Sequence, residues 1–166
     1  MGITVEELMT TRVVTLTPEM TLKEMDTLLV KRGVSGAPVV ERGRLVGVAS
    51  QADVVRTLWE GEHEAAKIAA YYSSPYLVSM PALEKIAHDS HLVNERLVAR
   101  KVRDIMTKDP LVAHPDDDVA TTAARMLADQ IHRFPVTHRE TGELLGIFTA
   151  LDLATAISRY GLGSGG

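Results

Sequence analysis

The chain has 166 residues, a formal net charge of −4 and no cysteine, which excludes disulfides, thiolate metal sites and thiol nucleophiles. Its 45% hydrophobic and 24% charged residues are ordinary for a globular domain, and no uninterrupted apolar run approaches the roughly 20 residues that span a bilayer. Basic residues are nowhere dense enough to neutralise many phosphates, and 1 Trp, 4 Tyr and 2 Phe make no base-stacking platform, so neither a nucleic-acid duplex nor a membrane is an expected partner.

The opening stretch "MGITVEELMTT" carries acids where a signal peptide carries basic residues. It also lacks the Ser or Thr at the sixth position that myristoylation uses, so a cytoplasmic protein is expected. An extended segment over Val13 to Leu16 stops at Pro18. Leu22, Met25, Leu28 and Leu29 then recur at helical spacing. "APVV" and "LVGVA" read as the two strands of a hairpin joined by a Gly-containing turn, and Pro38 inside the first implies an edge or irregular position. A second helix is predicted to begin at Ser50-Gln51-Ala52-Asp53. Residues 60–100 read as an ordered helical insertion. Its first part is an Ala-rich helix broken at Ser73-Ser74-Pro75, and its second an amphipathic helix with Leu83, Ile86, Ala87, Val93, Leu97 and Val98 near one face.

From residue 101 the pattern starts again. "VRDIMTKDPLVAHPDDDV" lies against "VEELMTTRVVTLTPEMTL", so that Met106-Thr107 falls on Met9-Thr10 and Pro115 on Pro18. Leu111 to Ala113 repeats the first extended segment, and Val119, Ala123, Met126 and Leu127 repeat the helix. The acids Asp116, Asp117 and Asp118 suit the start of that helix. "FPVT" and "LLGIF" repeat the hairpin with a longer turn, and Thr149-Ala150-Leu151-Asp152 repeats the second helix start. The chain therefore divides into a first repeat (1–59), the helical insertion (60–100), a second repeat (101–160) and a flexible tail (161–166). One β-α-β-β-α unit leaves a sheet face uncovered. Two can bury those faces against each other, which predicts an α+β fold of two pseudo-symmetric repeats packed sheet to sheet.

The repeats differ in one place that matters. His132 and Arg133 precede the second hairpin, where the first repeat has Ser35 and Gly36. Ser/Thr-x-x-Asp before an apolar run is an ordinary helix cap, but the same helix start offers free N–H groups to a phosphate. Its Asp can accept hydrogen bonds from a 2′,3′-diol. A phosphate so near a carboxylate calls for a cation, which Arg133 supplies as a bidentate donor with His132 as a second. A phosphorylated ligand carrying such a diol is thus expected at Asp152, and a weaker site, or an uncharged moiety, at Asp53.

The ordered series Leu-Met-Thr or Ile-Met-Thr, Pro, G-A-P-V-V or R-F-P-V, L-V-G-V or L-L-G-I, and Ser/Thr-x-x-Asp, met twice, resembles the tandem CBS-domain family, the regulatory pair often called a Bateman module. The resemblance covers nearly all but residues 60–100. It implies a ligand-sensing module, commonly a disc-like homodimer, that binds AMP, ADP, ATP, S-adenosylmethionine or a dinucleotide such as NAD(H), with Mg²⁺ possible beside ATP. Carried over by position, the stronger site combines Asp152, Thr149, His132, Arg133, Phe134 and Pro135 with Thr10, Val13 and Val14. The weaker combines Asp53, Ser50, Ala37 and Pro38 with Thr107, Leu111 and Val112.

Glu84, His88, His91 and Glu95 share one helical face and form a candidate metal set, although a solvated polar face requires only such residues. His63, His88, His91, His114, His132 and His138 accompany no nucleophile motif, and "GLGSGG" follows a helix instead of opening one. No enzyme is expected. Two classes remain, an adenine-nucleotide sensor acting on a separate target protein, and a protein-interaction or metal-responsive adaptor with vestigial clefts.

Overall fold

A computed structural model describes residues 2–58 and 90–160. The expected helix break at Ser73-Ser74-Pro75, the candidates Glu84 and His88, and the tail 161–166 lie outside them.

Helix α1 (Val5–Leu8) and helix α2 (Leu22–Arg32) open the first repeat. Helix α2 starts where Thr21 and Glu24 cap reciprocally, the Glu24 amide donating to Thr21 Oγ1 at 3.2 Å and the Thr21 amide to Glu24 Oε2 at 2.8 Å. It ends at Gly33, whose φ of 65° is left-handed. Leu22, Met25 and Leu29 are buried along its inner face. Strands β1 (Gly36–Glu41) and β2 (Arg44–Ser50) follow. Their turn has positive φ at both Arg42 and Gly43, the primed geometry that matches strand twist. Helix α3 (Gln51–Leu58) continues directly from β2.

After the residues not described come helix α4 (Ser90–Ala99), helix α5 (Val102–Ile105) and the short strand β3 (Thr107–Lys108). Leu97 packs on the core while Val98 is 50% exposed, so the single apolar face expected there is divided. Helix α6 (Val119–Ala128), strands β4 (Arg133–Thr137) and β5 (Leu144–Thr149) and helix α7 (Ala150–Tyr160) complete the second repeat. The acidic triplet is accounted for locally. Asp118 caps α6 through the Thr121 amide at 2.9 Å, while Asp116 and Asp117 pair with Arg139 of the β4–β5 turn.

Both strand prolines use their carbonyls across a parallel bridge. The carbonyl of Pro38 accepts from the Leu16 amide at 2.9 Å, and that of Pro135 from the Ala113 amide at 3.0 Å. The predicted first extended segments are thereby single parallel bridges, Leu16 to Val39 and Ala113 to Val136. Strand β1 lies at the end of the three-stranded order β1-β2-β3, and β4 pairs with β5 in a second sheet.

The chain clusters into two compact units that interleave the repeats. One comprises residues 1–13, 40–45 and 109–166, the other residues 14–39 and 46–108. In the first, the amides of Val5 and Glu6 donate to the carbonyls of Asp117 and Pro115. In the second, the amides of Val102 and Arg103 donate to those of Met20 and Pro18. Each lead segment thus docks at the helix start of the other repeat, with Val5 or Val102 fully buried. The first core gathers Val5, Ala113, Val119, Met126, Phe134, Val136 and Phe148. The second gathers Leu16, Met25, Leu29, Ala37, Val39, Ala49, Val54 and Val102.

Candidate functional site

Strand β5 ends at Thr149 and α7 begins one residue later. Thr149 donates its amide and its hydroxyl to Asp152 Oδ2, both at 2.7 Å, and the Asp152 amide reaches back to Thr149 Oγ1 at 3.3 Å. This cap holds the half-buried carboxylate in place while using only one of its oxygens. Arg133 stands in register with Thr149 across the hairpin, and the Ala150 amide donates to the His132 carbonyl at 3.0 Å. The exposed His132 and Arg133 therefore flank the start of α7.

Thr10 completes the arrangement from the other side of β5. Its amide donates to the Ile147 carbonyl and its carbonyl accepts from the Ile147 amide, both at 2.9 Å. Gly146 permits this approach, since a Cβ there would lie 2.7 Å from Met9 Sδ and 3.0 Å from the Thr10 carbonyl oxygen. Val13 belongs to the same unit as Thr10, whereas Val14 packs on the core of the other. Phe134 and Pro135 are buried, and the Arg125 guanidinium lies 4.7 Å from the Phe134 ring centroid. Neither side chain is open to a ligand, and the Pro135 carbonyl is already taken by the Ala113 amide.

The first copy has the same scaffold and different chemistry. Ser50 donates its amide at 2.8 Å and its hydroxyl at 2.7 Å to Asp53 Oδ2. Thr107 pairs with Val48 alongside β2, where a Cβ on Gly47 would lie 2.8 Å from the Thr107 carbonyl oxygen. Ala37 and Pro38 are buried, and Leu111 and Val112 belong to the other unit. Gly36 occupies the position of Arg133, and a Cβ there would stand 2.9 Å from both the Ala49 carbonyl oxygen and Ser50 Cβ.

Sequence reading misses one contact. Asp53 Oδ1 accepts from Arg56 at 3.0 Å. The Asp-x-x-Arg spacing on α3 carries that signal. Three residues beyond Asp152 stands Thr155, whose hydroxyl donates back to the Leu151 carbonyl at 3.0 Å.

Of the metal candidates, the His91 side chain also falls outside the description and Glu95 is exposed. Among the described residues no group of three His, Asp or Glu could hold a metal ion, and no helix is long and apolar enough to cross a membrane. A separate apolar cavity of about 340 Å³ lies in the first unit, lined by Ile3, Val119, Ala120, Ala123, Leu153 and Ile157 among others.

The CBS domain family model matches residues 5–60 and 102–159. A protein of Methanocaldococcus jannaschii, MJ1426, is 34% identical over 130 residues, covering 76% of this chain and 75% of that one. The CBS-pair protein CBSX2 of Arabidopsis thaliana superposes with a TM-score of 0.72 at 24% identity, covering 99% of this chain and 100% of the other. Its complex with AMP gives a TM-score of 0.67 at 24% identity, covering 96% and 99%. The domain pair of MJ0100, solved with 5′-methylthioadenosine and S-adenosyl-L-methionine, gives 0.62 at 19% identity, covering 95% and 98%. MJ1225 of Methanocaldococcus jannaschii gives 0.71 at 24% identity with 94% of this chain covered, and the chain spans about half (48%) of its length.

Proposed function

The chain belongs to the CBS-domain family, and on that premise we propose that it is a regulatory module that binds a phosphorylated adenosine at the Asp152 site and reports its occupancy to a separate target protein. The observation that carries this reading is the division of labour at the start of α7. Thr149 uses Asp152 Oδ2, which leaves Oδ1 for the ribose hydroxyls. Arg133 and His132 flank the same helix start and supply donors to the phosphate, with helix amides beside them. Thr10 and Val13 of the lead segment would border the base. AMP in the CBSX2 complex, and 5′-methylthioadenosine with S-adenosyl-L-methionine in the MJ0100 pair, support an adenosine ligand. ADP and ATP, the latter with Mg²⁺, fit the same scheme.

Isothermal calorimetry with AMP tests it on the native chain and two variants. Asp152→Asn keeps an oxygen for the Thr149 cap but removes the charged acceptor. Arg133→Ala removes the cation. Each is expected to weaken AMP binding at least about tenfold, the worth of a hydrogen bond to a charged group. Full AMP affinity in both variants would rule the site out.

A second reading, an interaction module that dimerises, draws on Leu127, Leu151 and Ile157 of α6 and α7, which are 82%, 75% and 55% exposed. Large apolar side chains gathered on neighbouring helices mark a surface that associates.

A further inference from the structure

We infer that Arg56 governs which of the two Ser/Thr-x-x-Asp sites a nucleoside enters, by occupying in the first copy the carboxylate oxygen that, among the described residues, the second copy leaves open; this rests on the nucleotide reading above. In both copies Oδ2 is committed to the cap, from Ser50 to Asp53 and from Thr149 to Asp152. A ribose diol must therefore bind Oδ1. In the first copy the Arg56 guanidinium already donates to Asp53 Oδ1 at 3.0 Å. In the second, the residue one turn on is Thr155, whose hydroxyl is engaged with the Leu151 carbonyl. Arg56 is 64% exposed and Asp53 13% exposed, so the pair is a surface latch on a sheltered carboxylate. A diol entering the first site has to share or displace it, and an entering phosphate is not needed for the difference to appear.

The strength of an exposed pair sets the size of the effect at about two- to fivefold. Adenosine, which has the diol and no phosphate, is the probe. In an Asp152→Asn background, Arg56→Ala is expected to raise adenosine affinity at the remaining site by that factor, read by calorimetry or amide NMR titration. Thr155→Arg in the otherwise native chain builds the latch at the second site and is expected to lower adenosine affinity equally. Thr155 is exposed on α7, so that variant is expected to keep its fold, and a melting curve checks it. Adenosine affinity unchanged in both variants, with AMP still binding the native chain, overturns the latch alone. A loss of AMP affinity on Arg56→Ala also overturns it, since Arg56 would then be a phosphate ligand. A native chain that binds neither AMP nor adenosine sinks the nucleotide reading, and this inference with it.

Discussion

Gly146 has no side chain where the lead segment of the other repeat crosses β5. A Cβ would meet the Thr10 carbonyl oxygen at 3.0 Å and Met9 Sδ at 2.7 Å. The thioether is flexible and can swing aside, but the carbonyl is tied to the Ile147 amide and can yield only by stretching that bond. Gly146→Ala is therefore expected to destabilise the chain by about 1–3 kcal/mol, the range for overpacking, and to weaken AMP binding by shifting Thr10. Thermal melting and calorimetry on one variant measure both. An unchanged melting temperature would mean that the lead segment moves freely. At this scale much of the candidate site's local geometry was legible. Thr149, Asp152, His132 and Arg133 come together because a hairpin register and a helix cap are local matters. Phe134 reads differently in the structure, because the choice between facing a ligand and filling the core depends on what covers it. Arg125 supplies that cover from α6, and no local pattern in the hairpin encodes it.

Three helix starts share one device: Glu7 and Glu24 accept from the Thr4 and Thr21 amides three residues back, and Asp118 accepts from the Thr121 amide three residues on. The carboxyls of Glu7 and Glu24 are held below the usual range first by the amides of Thr4 and Thr21 and then by their hydroxyls. Asp118 is held low by the Thr121 amide and hydroxyl. Their values in the folded chain lie below those in the unfolded one. The stabilisation they give is thus complete above the ordinary carboxylate range, near pH 4, and is lost as pH falls through the folded values. The melting temperature is expected to lose these caps only below about pH 4. Glu24→Gln keeps the reciprocal cap without its charge and is expected to make the acid limb shallower; an acid limb identical to the native one would exclude the caps as its cause. The caps, the turn at Arg42-Gly43 and the strand prolines are the parts that elementary propensities reveal. The docking of α1 and α5 on the opposite repeats is not among them. Periodicity reports which face of an element is apolar, and nothing in "VEEL" or "VRDI" names the surface that buries Val5 or Val102.

At the scale of the whole molecule, α6 and α7 leave Leu127, Leu151 and Ile157 exposed, and Ile157 also lines the apolar cavity. A second copy presenting the same face would cover them by two-fold symmetry, the commonest way a small chain associates. Light scattering coupled to size exclusion is expected to give twice the mass of one chain for the native protein. The double variant Leu127→Glu and Ile157→Glu is expected to give the mass of a single chain with an unchanged circular dichroism spectrum. A native mass of one chain at tens of micromolar would exclude this dimer.

The exchange of lead segments also sets a clock on synthesis. Thr10 finds its partner only at Ile147, and Thr4 at Asp118. At roughly 5–20 residues per second, Thr10 leaves the ribosome on the order of ten seconds before the strand it must pair with. For that interval the lead segment is an open β-edge ahead of a β1–β2 hairpin that can already close. Every chain therefore passes through a stage in which the lead segment is made but not yet secured, a stage at which a neighbouring nascent chain could supply the missing strand.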